Sequence, residues 1–261
     1  MVVFITIWFI ILSALTCALP KPAMYSDLGS NFVAADAAGL EINTGDTAWV
    51  LMSSCLVLFM TPGVAFFYGG MVEHKNVIST MFLSFVSMGF ITVLWILVGF
   101  SLSFGDDANG SGIMGHPKTF FMFQDTGNAP SASLSPTVPL IIFSMFQLMF
   151  AIITPVLISG SLAERVNFYS WMIFICVWHI LVYCPLVHIV WHPDGILRKW
   201  GYIDFAGGIP VEMASGKTTT PIYTTSTLLL HCYYTVITLL LHTRLWSPSR
   251  SHFLRPKKKH W

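Results

Sequence analysis

The stretch Thr137–Leu162, TVPLIIFSMFQLMFAIITPVLISGSL, holds no charged residue and a single side-chain amide, Gln147. A helix rises about 1.5 Å per residue, so this run is long enough to cross a hydrocarbon core of about 30 Å. Lipid offers the backbone no hydrogen-bond partners, so a lone spanning segment has to be helical. Three more segments read the same way: Trp49–Gly69, Asn76–Phe104 and Phe168–Trp191. Prolines interrupt three of the four, at Pro62, Pro155 and Pro185. None alternates apolar and polar residues as a barrel strand does. The whole chain agrees, with 55% hydrophobic and 10% charged among 261 residues and a mean hydropathy of +0.71. Soluble domains carry about 25% charged residues. The expected class is an all-α membrane protein, with the lipid bilayer as its surroundings.

The connections set an orientation. Val72–Asn76 and Ala163–Asn167 are short and hold Lys75 and Arg165. Gly105–Pro136 is long and polar, with Asp106, Asp107 and Asp125 against Lys118. Positive loops stay in the cytoplasm, which puts the long loop outside. Its Asn109-Gly110-Ser111 pattern for glycan attachment fits that side. The loop from Trp191 to Ile203, with Arg198 and Lys199, is the one connection that runs against the rule.

The ends read differently. Residues 1–23 form a signal peptide or N-terminal apolar segment, broken by Pro20, Lys21 and Pro22. Cleavage would leave the N-terminus outside, in a multi-pass protein expected in the plasma membrane. The basic residues gather in the last stretch, at Arg250, Arg255 and Lys257–Lys259. Such a tail after an apolar segment suits a cytoplasmic anchor better than nucleic acid. The five cysteines lie in or beside apolar segments and make no metal spacing with histidine. His188 and His192 stand four apart beside Pro193 without completing a metal set. No phosphate cradle or nucleophile constellation is present. No metal, cofactor or enzymatic activity is expected.

Two carboxylates stand out in Asp204–Gly216, DFAGGIPVEMASG. An acid at the membrane is costly and is kept where it faces a cavity, a partner or an ion path. Asp204 sits where a helix begins and can accept from free backbone N–H groups there. Pro210 suits an early helical position. Glu212 lies eight residues on, about 12 Å deeper on nearly the same side of a regular helix. A carboxylate at that depth suits a proton relay or cation handling, or a buried pair with a neighbouring helix. Phe146 and Phe150 share a helix face, and Trp191 closes the fourth span. Aromatic faces attract desolvated cations; lipid contact and interfacial packing are the plainer readings.

Five ordered motifs resemble the ammonium transporter family (Amt/Mep/Rh), with a Mep-like character. They are Pro62–Gly70, Phe146–Ala151, Gly160–Arg165, His188–Trp191 and Asp204–Gly208 with Val211. The resemblance covers about 46–216, a partial ammonium transporter domain. It implies the first half of an eleven-span bundle, about five transmembrane helices, in a fold of two pseudo-symmetric halves that assembles as a trimer with one pore per subunit. It implies that Trp191 and Phe150 recruit ammonium, with Phe146 and Gln147 beside them and Asp204 stabilising the charge. Ammonia and a proton then cross by separate routes. The first of the family's paired pore histidines falls at position 212, where this chain has Glu212. Some fungal members are similar in carrying Glu there, so the departure need not mean loss of function, while the proton path and its pH dependence are the parts it places in doubt.

Residues 217–261 do not resemble the family. They read as a divergent apolar, then basic tail, whether a novel last span over Ile222–Leu241 or the product of a shifted frame or retained intron. The partners of the second half have no counterparts. The expected assembly is a homotrimer or co-assembly with a full-length homologue. The alternative role is a non-transporting regulatory or sensor subunit.

Overall fold

The structure, a computed structural model, describes residues 39–219. The expected signal segment at 1–23 and almost all of the tail at 217–261 lie outside the described residues. Four long apolar helices dominate. Helix α1 is Thr44–Met71. Helix α2 runs through Val77–Leu94, Trp95–Gly99 and Phe100–Phe104. Helix α3 is Leu140–Leu162. Helix α4 runs through Phe168–Trp178, His179–Tyr183 and Cys184–Trp191. A short α5, Ile196–Lys199, follows. Helix α6 opens as Gly208–Met213 and continues as Ala214–Thr219. The bundle matches the all-α membrane class, with four spans long and apolar enough to cross a bilayer among the described residues.

The helix starts have local causes. The Asn43 side chain accepts from the Gly45 and Asp46 N–H groups at 2.8 and 3.1 Å and opens α1. Asn167 does the same for α4, accepting from Tyr169 N at 3.2 Å. The long connection holds a small antiparallel hairpin, β1 (Pro130–Ser131) with β2 (Ser135–Pro139). It takes up the first residues of the segment read as the third span, so α3 begins at Leu140. The Asn43 N–H donates to Thr137 O at 2.9 Å, tying this hairpin to the start of α1.

Helices α1, α2 and α3 pack mutually, and α4 packs on α2. Close approach depends on Gly160. A Cβ there would stand 2.5–2.8 Å from the Tyr68 ring, whose hydroxyl donates to Leu157 O at 2.9 Å. Small residues at such crossings let neighbouring spans come together. Several buried hydroxyls are satisfied within their own helices. Ser87 donates to Leu83 O at 2.7 Å and Thr154 to Phe150 O at 2.6 Å. Indoles use the remaining acceptors: Trp171 Nε1 donates to Ser87 Oγ at 3.0 Å and Trp95 Nε1 to Ser144 O at 3.2 Å.

Helices α2 and α4 each carry a π-helical turn, at Trp95–Gly99 and His179–Tyr183. The two turns face each other. Trp95 meets His179 edge-on with centroids 6.0 Å apart, and a Cβ on Gly99 would lie 2.9 Å from His179 Nε2. The imidazole of His179 is fully buried between them.

At the other end of the bundle from Trp191, Glu164 adopts the left-handed region (φ 67°). Its Oε1 accepts from Asn76 Nδ2 at 2.9 Å and Glu73 N at 3.0 Å. This clamp joins the α1–α2 and α3–α4 connections. The Asn76 side chain first, then the Glu73 N–H, hold the Glu164 carboxyl below its ordinary range. A lowered carboxyl gives a contribution present at neutral pH and lost as pH falls below about 4. Hydrogen exchange at the Glu73 amide, corrected for its intrinsic pH dependence, is expected to lose protection in that acid window, and Glu164→Gln to remove the pH dependence.

Candidate functional site

The site forms where α4 ends, α6 begins and α3 passes beside both. Asp204 organises it. Its Oδ1 accepts from Gly207 N at 2.7 Å and Gly208 N at 3.0 Å, and Oδ2 accepts from Ile209 N at 2.9 Å. Three free donors at the start of α6 are met by one carboxylate, which also suits the positive end of a helix dipole. The expected capping role is therefore present, exercised from four residues before Gly208.

Gly207 makes this geometry possible. Its φ is 78°, and a Cβ would lie 3.0 Å from Val211 Cγ2 and 3.3 Å from Trp191 Cζ2. Glycine alone meets both demands cheaply. The Gly207 carbonyl accepts from Val211 N at 3.0 Å and from Glu212 N at 3.1 Å. That shared acceptor widens the first turn of α6 into a π-helical turn. The phase of a regular helix, on which the spacing from Asp204 to Glu212 was read, does not hold here. Glu212 is exposed among the described residues and lies within electrostatic reach of Tyr68.

The aromatic residues meet as the sequence spacing anticipates. Phe146 and Phe150 stack edge to face at 5.0 Å and 87°. Phe150 in turn meets Trp191 at 5.9 Å and 70°. The Trp191 indole donates to Asp204 O at 3.1 Å, which fixes the ring against the loop carrying the carboxylate. All three rings are half-buried, so part of each π-face stays open. Gln147 sits between the two phenylalanines in sequence and is buried, and its Oε1 has no hydrogen-bond partner among the described residues. Tyr202 stands nearby, and burial, then the Asp204 charge, pushes its hydroxyl up. The structure thus joins Phe146, Phe150, Trp191 and Asp204 in one chain of contacts, with Gln147 on the same helix. Glu212 stands one turn further along α6.

Other polar groups escaped the sequence reading. His179 and His188 are fully buried and His192 nearly so. The one signal was the four-residue spacing of His188 and His192, which gives no hint that both rings turn inward. No group of three metal-ligating side chains is assembled among the described residues.

The chain is similar to known proteins of one family. A family model described as Ammonium Transporter Family matches residues 48–219. An ammonium transporter of Mycobacterium bovis is 42% identical over 193 residues, covering 66% of this chain and 40% of that protein. A crystal structure of Saccharomyces cerevisiae Mep2 is similar with a TM-score of 0.63 and 32% identity, covering 72% of this chain and 39% of the other. A structure described as a sensor Amt protein is similar with a TM-score of 0.58 and 27% identity, over 66% of this chain and 42% of that one. The chain spans about two-fifths of the length of the curated relatives it matches.

Asp204→Ala should remove three backbone partners at once. A lost helix cap costs about 0.5–2 kcal/mol, and the loop whose Asp204 carbonyl accepts from Trp191 loses its anchor, although that acceptor itself remains. The expected result is a melting temperature in detergent lowered by several degrees, with altered fluorescence from Trp191. Asp204→Asn, which keeps acceptor oxygen, is expected to fall between the two.

Proposed function

Since this chain belongs to the ammonium transporter family, we propose that its Trp191–Phe150–Asp204 arrangement recruits ammonium for passage across the bilayer. The observation that carries this reading is the Trp191 ring, held by Asp204 O at 3.1 Å and faced by Phe150 at 5.9 Å. Two aromatic faces beside an anionic carboxylate suit a small desolvated cation. Cation–π attraction contributes about 0.5–2 kcal/mol, and the Asp204 charge adds to it over a longer range. Phe146 completes the aromatic wall. The unpartnered Gln147 oxygen offers an acceptor for an N–H of the ion.

Deprotonation then separates the cargo. The N–H bond breaks, the electron pair stays on nitrogen, the proton passes to a solvent water at the outer mouth, and neutral ammonia remains. Ammonia crosses an apolar path far more easily than the bare ion. The proton takes a polar route past Glu212, the acid standing where most relatives are expected to carry histidine. The protein sits as a multi-pass chain in the plasma membrane with its N-terminus outside, and its work is transport and not catalysis.

The pore needs a second wall. Residues 46–216 supply one half of the two-fold arrangement that the family resemblance implies. A half-pore would turn polar groups towards lipid, which is unfavourable. Conduction therefore requires that second wall, as co-assembly with a full-length homologue would supply it; a homotrimer of these residues, with one pore per subunit, would not. A second reading, a regulatory or sensor subunit, draws support from the similarity to a sensor Amt protein. Ammonium binding without flux would mark it.

Cells lacking their own ammonium transporters, grown on limiting ammonium, test the need for a partner. The chain alone is expected to give no growth rescue, and robust rescue would overturn that requirement. With an intact homologue present, the chain is expected to co-purify in a stoichiometric complex.

A further inference from the structure

A second cluster of ionisable groups lies at the Trp191 end of α4, outside the aromatic site. His188 Nδ1 is 3.1 Å from Ser103 O. A carbonyl only accepts, so Nδ1 carries the proton and, in the neutral ring, Nε2 keeps its lone pair. That Nε2 is buried with no partner among the described residues. His192 has the opposite arrangement. Its Nδ1 accepts from Asp194 N at 3.1 Å, which leaves the proton on Nε2. The two rings stack with centroids 4.3 Å apart and planes 11° from parallel.

Asp107 completes the cluster. Its Oδ2 accepts from Gly112 N at 2.6 Å, while Oδ1 is buried and unpartnered among the described residues. The carboxylate acts electrostatically on both rings, as do Asp194 and Lys199. Lys199 and Asp194 satisfy each other at 3.4 Å. Asp107 makes no ion pair with Lys or Arg among the described residues. The balance is one negative charge in excess, beside two buried acceptor atoms. Asp107 is half-buried, and its covered Oδ1 and the covered His188 Nε2 are acceptors left open to a hydrogen-bond donor.

We propose that Asp107, His188 and His192 form a binding site for one small hydrogen-bond-donating cation, either a proton or ammonium. A proton would bond to His188 Nε2, giving an imidazolium held by Ser103 O on one side and drawn to Asp107 on the other. Ammonium would donate to the same Nε2 and to Asp107 Oδ1. Either restores charge balance where the loop after α2 docks onto α4. The site stands one residue from Trp191 and holds charge without using the aromatic faces. It does not depend on transport, and its readout is a histidine signal, not flux.

The test is 15N NMR of the full chain, histidine-labelled, in lipid nanodiscs. One arm lowers the pH from 8 to 5 without ammonium. The other adds ammonium chloride at pH 8, with sodium chloride as control. The expected result is that the His188 lone-pair nitrogen signal gives way to an N–H signal in the first arm, or shifts saturably in the second. The responding arm names the cation. Asp107→Asn should lower the pH midpoint by about one unit, or weaken ammonium binding about tenfold. A His188 signal unmoved in both arms of the unsubstituted chain would overturn the proposal, and that result does not depend on whether the variant folds. An equal shift with sodium, or an unchanged response in a folded Asp107→Asn variant, would overturn it too.

Discussion

The Asp204 carboxylate does two jobs that cannot be separated. It accepts from three backbone N–H groups, which lets α6 start beside the bundle. It also places negative charge next to the aromatic rings. The Asp204 carbonyl holds the Trp191 indole, and Phe150 packs against that indole. Remove the carboxylate and the start of α6, the ring orientation and the local charge are all disturbed together. Gly207 belongs to the same constraint, since any Cβ there would press on both Val211 and Trp191. All three of its backbone partners lie at the start of α6, so the acid and the helix start are fixed together.

Much of this was legible in the sequence, for identifiable reasons. The span Phe168–Trp191 has the bounds read from hydropathy, because Asn167 caps its start and Pro193 follows its end. The Phe146–Phe150 contact follows from helical spacing alone. The cap at Asp204 follows from an acid placed before a Gly-Gly-Ile-Pro start. The family resemblance rested on the same motifs and is matched by the comparison over residues 48–219.

The rest depends on relations between helices. The π-helical turns in α2 and α4 meet through Trp95 and His179, and neither sequence alone marks an extra residue per turn. The π-helical turn at Gly208–Met213 changed the phase of Glu212, so counting 3.6 residues per turn from Asp204 misdirects its side chain. The inward turn of His188 depends on the Ser103 carbonyl, 85 residues away in the chain. The hairpin at β1–β2 depends on pairing that Pro130 and Pro139 disguise. These are tertiary effects, and local pattern carries no record of them.

The most direct measurement is a calorimetric titration of the purified full chain with ammonium, with sodium as control, for the unsubstituted protein and for Trp191→Leu. Losing one cation–π face of about 0.5–2 kcal/mol should weaken ammonium binding several-fold, while sodium shows no comparable binding. Equal ammonium binding in the two proteins, or binding that does not discriminate against sodium, would contradict recruitment by the Trp191–Phe150–Asp204 arrangement.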